Sequence, residues 1–280
     1  MKILISLMLS FAILLAIVPA KYNVSDLEDK IEDAEPFPID HTRWALIIAV
    51  EEYENTDEVA YSKNSGEMFE LLANKQLGVS ERNTYALIDD RATTSRILDN
   101  LDQLIKNVKK GDTIFFYYSG HGVPVPEENN EPYILPIDKS INNLSKAKEL
   151  KLSNIYKKLA SSKADKIIAF VDSCFSGATD KVSVFKGVAA PRLVAKDIQI
   201  DKSKMSVMTA GSDKQFSNMY KKQQQRLFSY FLMDGIADKK YRDLDKLFDY
   251  VRYNVASTSE GFGSLYKQVP TIKGTSNIGF

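Results

Sequence analysis

The chain alternates short, mostly apolar runs with longer stretches whose apolar positions recur every three to four residues. WALIIAV (44–50), TYALID (84–89), TIFFYY (113–118), KIIAFVD (166–172) and MSVMTA (205–210) are runs of strand length, rich in β-branched and aromatic side chains. Runs without a polar face suit strands covered on both sides. Between them, residues 66–77 place Met68, Phe69, Leu71, Leu72 and Leu77 at helical spacing and end at Gly78. TTSRILDNLDQLIKNVKKG (93–111) carries Ile97, Leu101, Leu104, Ile105 and Val108 on one face, with threonines before its first turn and lysines in its last. Further helices are expected around 152–161, near 225–236 and over 243–255, with YILP (133–136) as a short extra strand and QVPTIKG (268–274) as a closing edge strand. This alternation predicts an α/β fold: a mainly parallel central sheet of about six strands with helices on both faces.

In such sheets, sites gather beyond the carboxyl ends of the strands. Three of those ends carry unusual residues. TIFFYY runs into Ser119-Gly120-His121-Gly122, KIIAFVD into Ser173-Cys174 past its own Asp172, and MSVMTA into Gly211-Ser212-Asp213. The chain holds one cysteine and two histidines, so the placement of His121 and Cys174 at matching positions is informative. A thiol with a pKa of about 8.5 is mostly protonated at neutral pH and needs a nearby base or cation to act as a nucleophile. His121 is the group suited to supply it. Flanking glycines let the backbone approach a substrate closely, and the N–H groups of Gly122 and Cys174 are the candidate donors to an oxyanion. The other histidine, His41, stands beside Asp40 before the first strand and reads as solvated.

Lys plus Arg (37) equals Asp plus Glu (37), which favours neither nucleic acid nor an anionic membrane as partner. The first twenty residues place Lys2 before an uncharged apolar run and small side chains at Val18 and Ala20, the pattern of a secretory signal cut after Ala20. The expectation is export, to the periplasm or the medium, with no stable membrane association after cleavage; an uncleaved anchor is the alternative. Residues 21–42 are acidic and include two prolines, which predicts a tether or surface extension ahead of one domain over 43–280. The lone cysteine cannot form a disulfide within its own chain, so Cys174 is a free thiol.

YYSGHG, followed about fifty residues later by DSCFSG, resembles the caspase and metacaspase superfamily of cysteine peptidases. WALIIAVEEY, LIDDRATTSRILDNL, EPYILPID and TAGSDKQFS extend the resemblance along residues 43–280. It implies a caspase-like three-layer sandwich, His121 as general base and acid, Cys174 as nucleophile and Gly122 in the oxyanion hole. Peptide bonds in a peptide or protein substrate would be cleaved through an acyl-enzyme, with no cofactor required. Caspases proper have an uncharged polar residue two positions before the cysteine, whereas metacaspases have an acid, and this chain has Asp172. The resemblance therefore implies a pocket for Arg or Lys before the scissile bond, with Glu67 near the position of a second pocket acid and Asp213 at a third acidic position. Each acid also has a plain reading: a strand-end turn for Asp172, a solvated helix residue for Glu67, a turn for Asp213.

Two departures stand out. Metacaspases commonly have histidine where this chain has Phe175, and many require calcium. Between Phe175 and Lys204 only Asp180, Asp197 and Asp201 are available, a sparse set for an ion that takes six to eight oxygens. Calcium is thus an activator the residues poorly support. Asp89-Asp90 and the EENNE loop (127–131) read as turn and surface. The weakly patterned segment 178–204, with Lys181, Lys186, Arg192, Lys196, Lys202 and Lys204, is a candidate for self-cleavage. Other readings are a clostripain-like peptidase of the same clan, a non-catalytic caspase-like module, and a thiol redox protein, the last lacking a CxxC motif.

Overall fold

The apolar runs become strands whose alternate residues enter two separate cores. In the computed structural model, which describes residues 26–175, 195–212, 215–275 and 279–280, helix α1 (Asp26–Asp33) precedes strand β1 (Arg43–Ala49). There follow α2 (Ser62–Gln76), β2 (Thr84–Ile88), α3 (Thr94–Asn107), β3 (Thr113–Ser119) and a hairpin of β4 (Gly122–Val125) and β5 (Glu131–Ile134). Then come α4 (Leu152–Ala160), β6 (Lys166–Asp172), β7 (Met205–Thr209), a small hairpin of β8 (Met219–Tyr220) and β9 (Gln225–Arg226), α5 (Leu227–Ala237), α6 (Leu244–Glu260) and β10 (Thr271–Gly274). The central sheet has six strands in the order β10-β7-β6-β3-β1-β2, all parallel except β10, which runs antiparallel along β7. Within β1, Leu46 and Ile48 face α3 and α4, while Ala45 and Ile47 face the layer of α1, α2, α5 and α6. That is a three-layer α/β sandwich, as the alternation of runs predicts.

YILP supplies the end of the expected short extra strand: Tyr133 and Ile134 belong to β5, paired with β4 outside the main sheet, and the hairpin packs over the α3/α4 side. One local expectation is corrected. Residues 26–42 are no tether. Leu27 and Ile31, one turn apart on the otherwise acidic α1, are buried against the second core, and Lys30 Nζ pairs with Asp234 at 2.6 Å. Two apolar residues make too short a period to be read from sequence, yet they suffice once a receiving groove exists. The strap after α1 is also held, with Phe37 N–H bonded to Lys75 O at 2.8 Å and the Phe37 ring under the guanidinium groups of Arg43 and Arg242. Among the described residues no helix is long and apolar enough to cross a membrane; the expected signal, residues 1–20, lies outside them.

Candidate active site

β1 has β2 on one side and β3 on the other, so the order of the parallel strands reverses there and the loops leaving β1 and β3 flank a crevice. His121 leaves β3 and Cys174 leaves the neighbouring β6. Ser119 pairs with Asp172 in register, which sets each reactive residue two positions past a matched pair. The two loops interlock: Ser173 Oγ donates to Gly120 O at 2.8 Å, and Gly120 N–H reaches Asp172 O at 3.4 Å. Glycine is required at both positions flanking the histidine. Gly120 has a φ of +153° and a Cβ there would lie 2.5 Å from Tyr53 Oη; a Cβ on Gly122 would lie 2.5 Å from the Phe175 ring and from Ser173 Oγ.

His121 is clamped along its backbone and at its ring. Its N–H donates to Tyr53 Oη at 2.7 Å, its carbonyl accepts from Tyr118 Oη, and the Tyr53 and Tyr118 hydroxyls bond each other. The rings of Tyr53 and His121 lie with centroids 4.7 Å apart. Nε2 stands 2.7 Å from the carbonyl oxygen of Asp57. A carbonyl can only accept, so Nε2 carries the proton and Nδ1 is left with its lone pair. Burial is the main cause that lowers the imidazole pKa to about 4, with the nearby Arg226 adding to it and the Asp57 carbonyl opposing. The ring is therefore neutral at physiological pH, the form that takes up a proton.

Cys174 is half-buried, and its Sγ accepts the backbone N–H of Ser217. Ser217 also reaches the pocket acid. Its hydroxyl donates to Asp172 Oδ1, while Oδ2 accepts the Ser229 N–H at 3.0 Å and the Ser229 hydroxyl at 2.6 Å. Asp172 is 1% exposed and sits at the N-terminus of α5, where the free N–H groups and the helix dipole favour a carboxylate. Arg226, the residue before α5, is buried beside this pair: Nη2 donates to the Ser217 carbonyl and, at 3.2 Å, to its hydroxyl, and Nη1 donates to Ala60 O at 3.3 Å.

The structure thus gathers His121, Gly122, Asp172 and Cys174 at neighbouring strand ends and leaves Glu67 out. Glu67 is exposed on α2, whereas Ser62 and Ser65 on the same helix are buried, Ser62 bonded to Ser119 and Ser65 to Gln225. Two residues along a helix turn the side chain by about 200°, so an inward Ser65 sends Glu67 to solvent. Asp213 lies outside the described residues. Sequence reasoning missed Tyr53, Asp57, Ser217 and Arg226. Asp57 acts through a carbonyl and leaves no mark in residue type, while a lone tyrosine, serine or arginine carries no period or spacing.

Asp89, read as a turn residue, is buried, with a φ of +45°, and accepts the N–H groups of Glu51 and Glu52 at 2.8 and 3.2 Å. It anchors the loop that presents Tyr53 and Asp57. In the EENNE loop Glu127 and Asn129 are exposed and Glu128, half-buried, is bonded to Lys151 at 2.7 Å, but Glu131 is buried in β5, against the surface reading. His41 is exposed, as expected. Of the three acids considered for calcium, Asp180 lies outside the described residues, Asp197 pairs with Lys273 and Asp201 accepts from Ser203; among the described residues no group of three His, Cys, Asp or Glu could hold an ion. An apolar cavity of about 430 Å³ lies beside Ser173 and Phe175, between Tyr156, Ile198, Ile200 and Ile272.

The profile of the caspase domain family matches residues 42–278. Curated relatives include a probable protease of a Desulfuromonadales bacterium, 32% identical over 149 residues, and metacaspase-7 of Arabidopsis thaliana, 33% identical over 92. Those alignments cover 47% and 31% of this chain but only 18% and 23% of the relatives. The chain therefore spans about a fifth of their length. Among solved structures, caspase-1 from Spodoptera frugiperda superposes with a TM-score of 0.53 at 14% identity, covering 86% of this chain and 89% of that one. Protein GSU0716 from Geobacter sulfurreducens gives a TM-score of 0.58 at 16% identity, covering 83% and 94%. Two interlocked loops with a histidine and a cysteine at adjacent strand ends, on a sheet of this order and under this profile, make the chain a member of the caspase domain family, of the caspase and metacaspase-like kind.

Proposed function

We propose that this chain is an exported cysteine endopeptidase that cleaves after Arg or Lys with a His121/Cys174 dyad. The observation that carries the reading is the tautomer of His121: with Nε2–H given to the Asp57 carbonyl, Nδ1 is the acceptor on a neutral ring. Nδ1 takes the thiol proton, and the Cys174 thiolate adds to the scissile carbonyl. The N–H groups of Gly122 and Cys174 receive the oxyanion. The imidazolium then gives its proton to the departing amine, which leaves the acyl-enzyme. Water attacks the thioester with Nδ1 as base again, and the carboxylic acid and the thiol are regenerated.

Asp172 supports the preference for a basic side chain, since a buried carboxylate beside the nucleophile is the charge such a group would seek. Export rests on the composition of residues 1–20, and self-cleavage rests on the basic residues of 178–204. Of these, Lys196 pairs with Glu131 at 3.2 Å and Lys204 donates to Ser162 O at 2.9 Å, while Lys181, Lys186 and Arg192 lie outside the described residues.

Fluorogenic peptides ending in Arg, Lys or Asp, with and without calcium, test the reading. Turnover of the Arg and Lys peptides should fall by at least about a thousandfold in Cys174→Ala and in His121→Ala. Undiminished turnover in Cys174→Ala would refute the dyad. No turnover of any peptide by the wild type would leave a non-catalytic module as the reading.

A further inference from the structure

We propose that Arg226 is the resident cation of the Asp172 pocket and sets its specificity by occupying the place a substrate's basic side chain would take. The inference rests on the peptidase reading and deepens it. Asp172 is buried and both its carboxylate oxygens accept from within, one from the Ser217 hydroxyl and the other from Ser229. Behind the Ser217 hydroxyl stands the Arg226 guanidinium, 3.2 Å away, so that one hydroxyl bridges cation and anion. The same serine donates its N–H to the nucleophile, which puts the guanidinium one residue from the Cys174 sulfur. A planar five-donor fork among two carbonyls, a hydroxyl and a nearby carboxylate is the arrangement a bound substrate arginine would adopt.

The anchoring of the backbone explains how the side chain could yield. Arg226 N–H is bonded to Ser65 Oγ at 2.9 Å, Gln225 is held by the same serine at 2.8 Å, and Leu227 N–H is bonded to Asn218 O at 2.8 Å. The start of α5 is thus fixed independently of the guanidinium. A second cation cannot join the first in so dry a pocket, because like charges at short range repel strongly where water is excluded. A substrate arginine must therefore displace Arg226, and removing the guanidinium opens the pocket.

The experiment compares the wild type with Arg226→Ala in two readouts: cleavage of Arg, Lys and Asp peptides, and the melting temperature with added agmatine, a free guanidino cation. Expected are a rise of at least roughly tenfold in kcat/KM for Arg peptides and stabilisation of R226A at agmatine concentrations that leave the wild type unmoved. Adding Asp172→Asn to R226A should abolish that stabilisation. If folded R226A cleaves Arg peptides no better than the wild type and ignores agmatine, the proposal is overturned. Loss of cleavage after Asp in R226A would also overturn it, since Arg226 would then receive an acidic side chain. Should no peptide be cleaved by either protein, agmatine stabilising R226A alone would uphold the pocket while the peptidase reading fails. If R226A does not fold, Arg226→Gln, a shorter side chain that keeps an amide donor but removes the charge, carries both readouts.

Discussion

His121 is the residue on which the chemistry and the stability of the site meet. A histidine buried as the neutral ring has its folded-state pKa, about 4, below its ordinary value near 6.5. The unfolded chain therefore binds its proton first, and stability that is fully present above about pH 6.5 is lost as the pH falls toward 4. The shift corresponds to a loss on the order of 3 kcal/mol. Urea unfolding at pH 7.5 and pH 4.5 should show a smaller acid loss in His121→Ala than in the wild type, and equal losses would contradict the buried neutral ring. Tyr53 is a positioning residue of the same site. Burial pushes its hydroxyl well above the usual tyrosine range, so it stays protonated and accepts the His121 N–H without charge. Tyr53→Phe strands that N–H at a cost of about 1–3 kcal/mol, and should lower kcat by about tenfold or more with KM little changed. Unaltered kcat at unaltered stability would show that Tyr53 has no part in placing the ring.

At the scale of elements, the loop between β1 and α2 decides whether the histidine works. Its start is tied to Asp89, its carboxylate Glu51 accepts the Lys63 N–H at 3.0 Å, and its middle supplies the Asp57 carbonyl. Desolvation leads the causes that raise the Glu51 pKa, a cost borne where the group caps the entry to α2. Asp89→Ala removes the acceptor of two backbone N–H groups at one stroke. Amide exchange should quicken over residues 51–61 while β1 and β3 stay protected, and activity should fall; exchange that quickens across the whole sheet would mean Asp89 supports the fold rather than this loop. The sequence announced the loop only as a polar gap. A gap has no periodicity, and its order comes from an acid just past the end of β2.

For the whole molecule, the N-terminal helix is the lesson in scale. α1 seals one face of the layer made by α2 and α5, with Ile31 fully buried. Truncating a buried aliphatic side chain costs about 2–5 kcal/mol, so Ile31→Ala should lower the unfolding free energy by that much, seen as a lower urea midpoint at an unchanged slope. A change within about 0.5 kcal/mol would return residues 26–33 to the status of a tether. The same packing ties α1 to Asp234 on α5, the helix whose N-terminus holds Asp172.

The five apolar runs, the amphipathic helices and the Gly-flanked His121 and Cys174 were legible in the chain itself, because period and composition are local properties that need no partner. They determined the layers, the parallel sheet and the ends at which chemistry gathers. Tertiary structure alone decided the rest. It chose the tautomer of His121 through the Asp57 carbonyl, turned Glu67 outward by aiming Ser65 in, and seated Arg226 beside Asp172. These outcomes depend on which loops meet across the sheet, and contacts between residues far apart in sequence are set by packing, where hydrogen bonds and charges are satisfied or excluded from water.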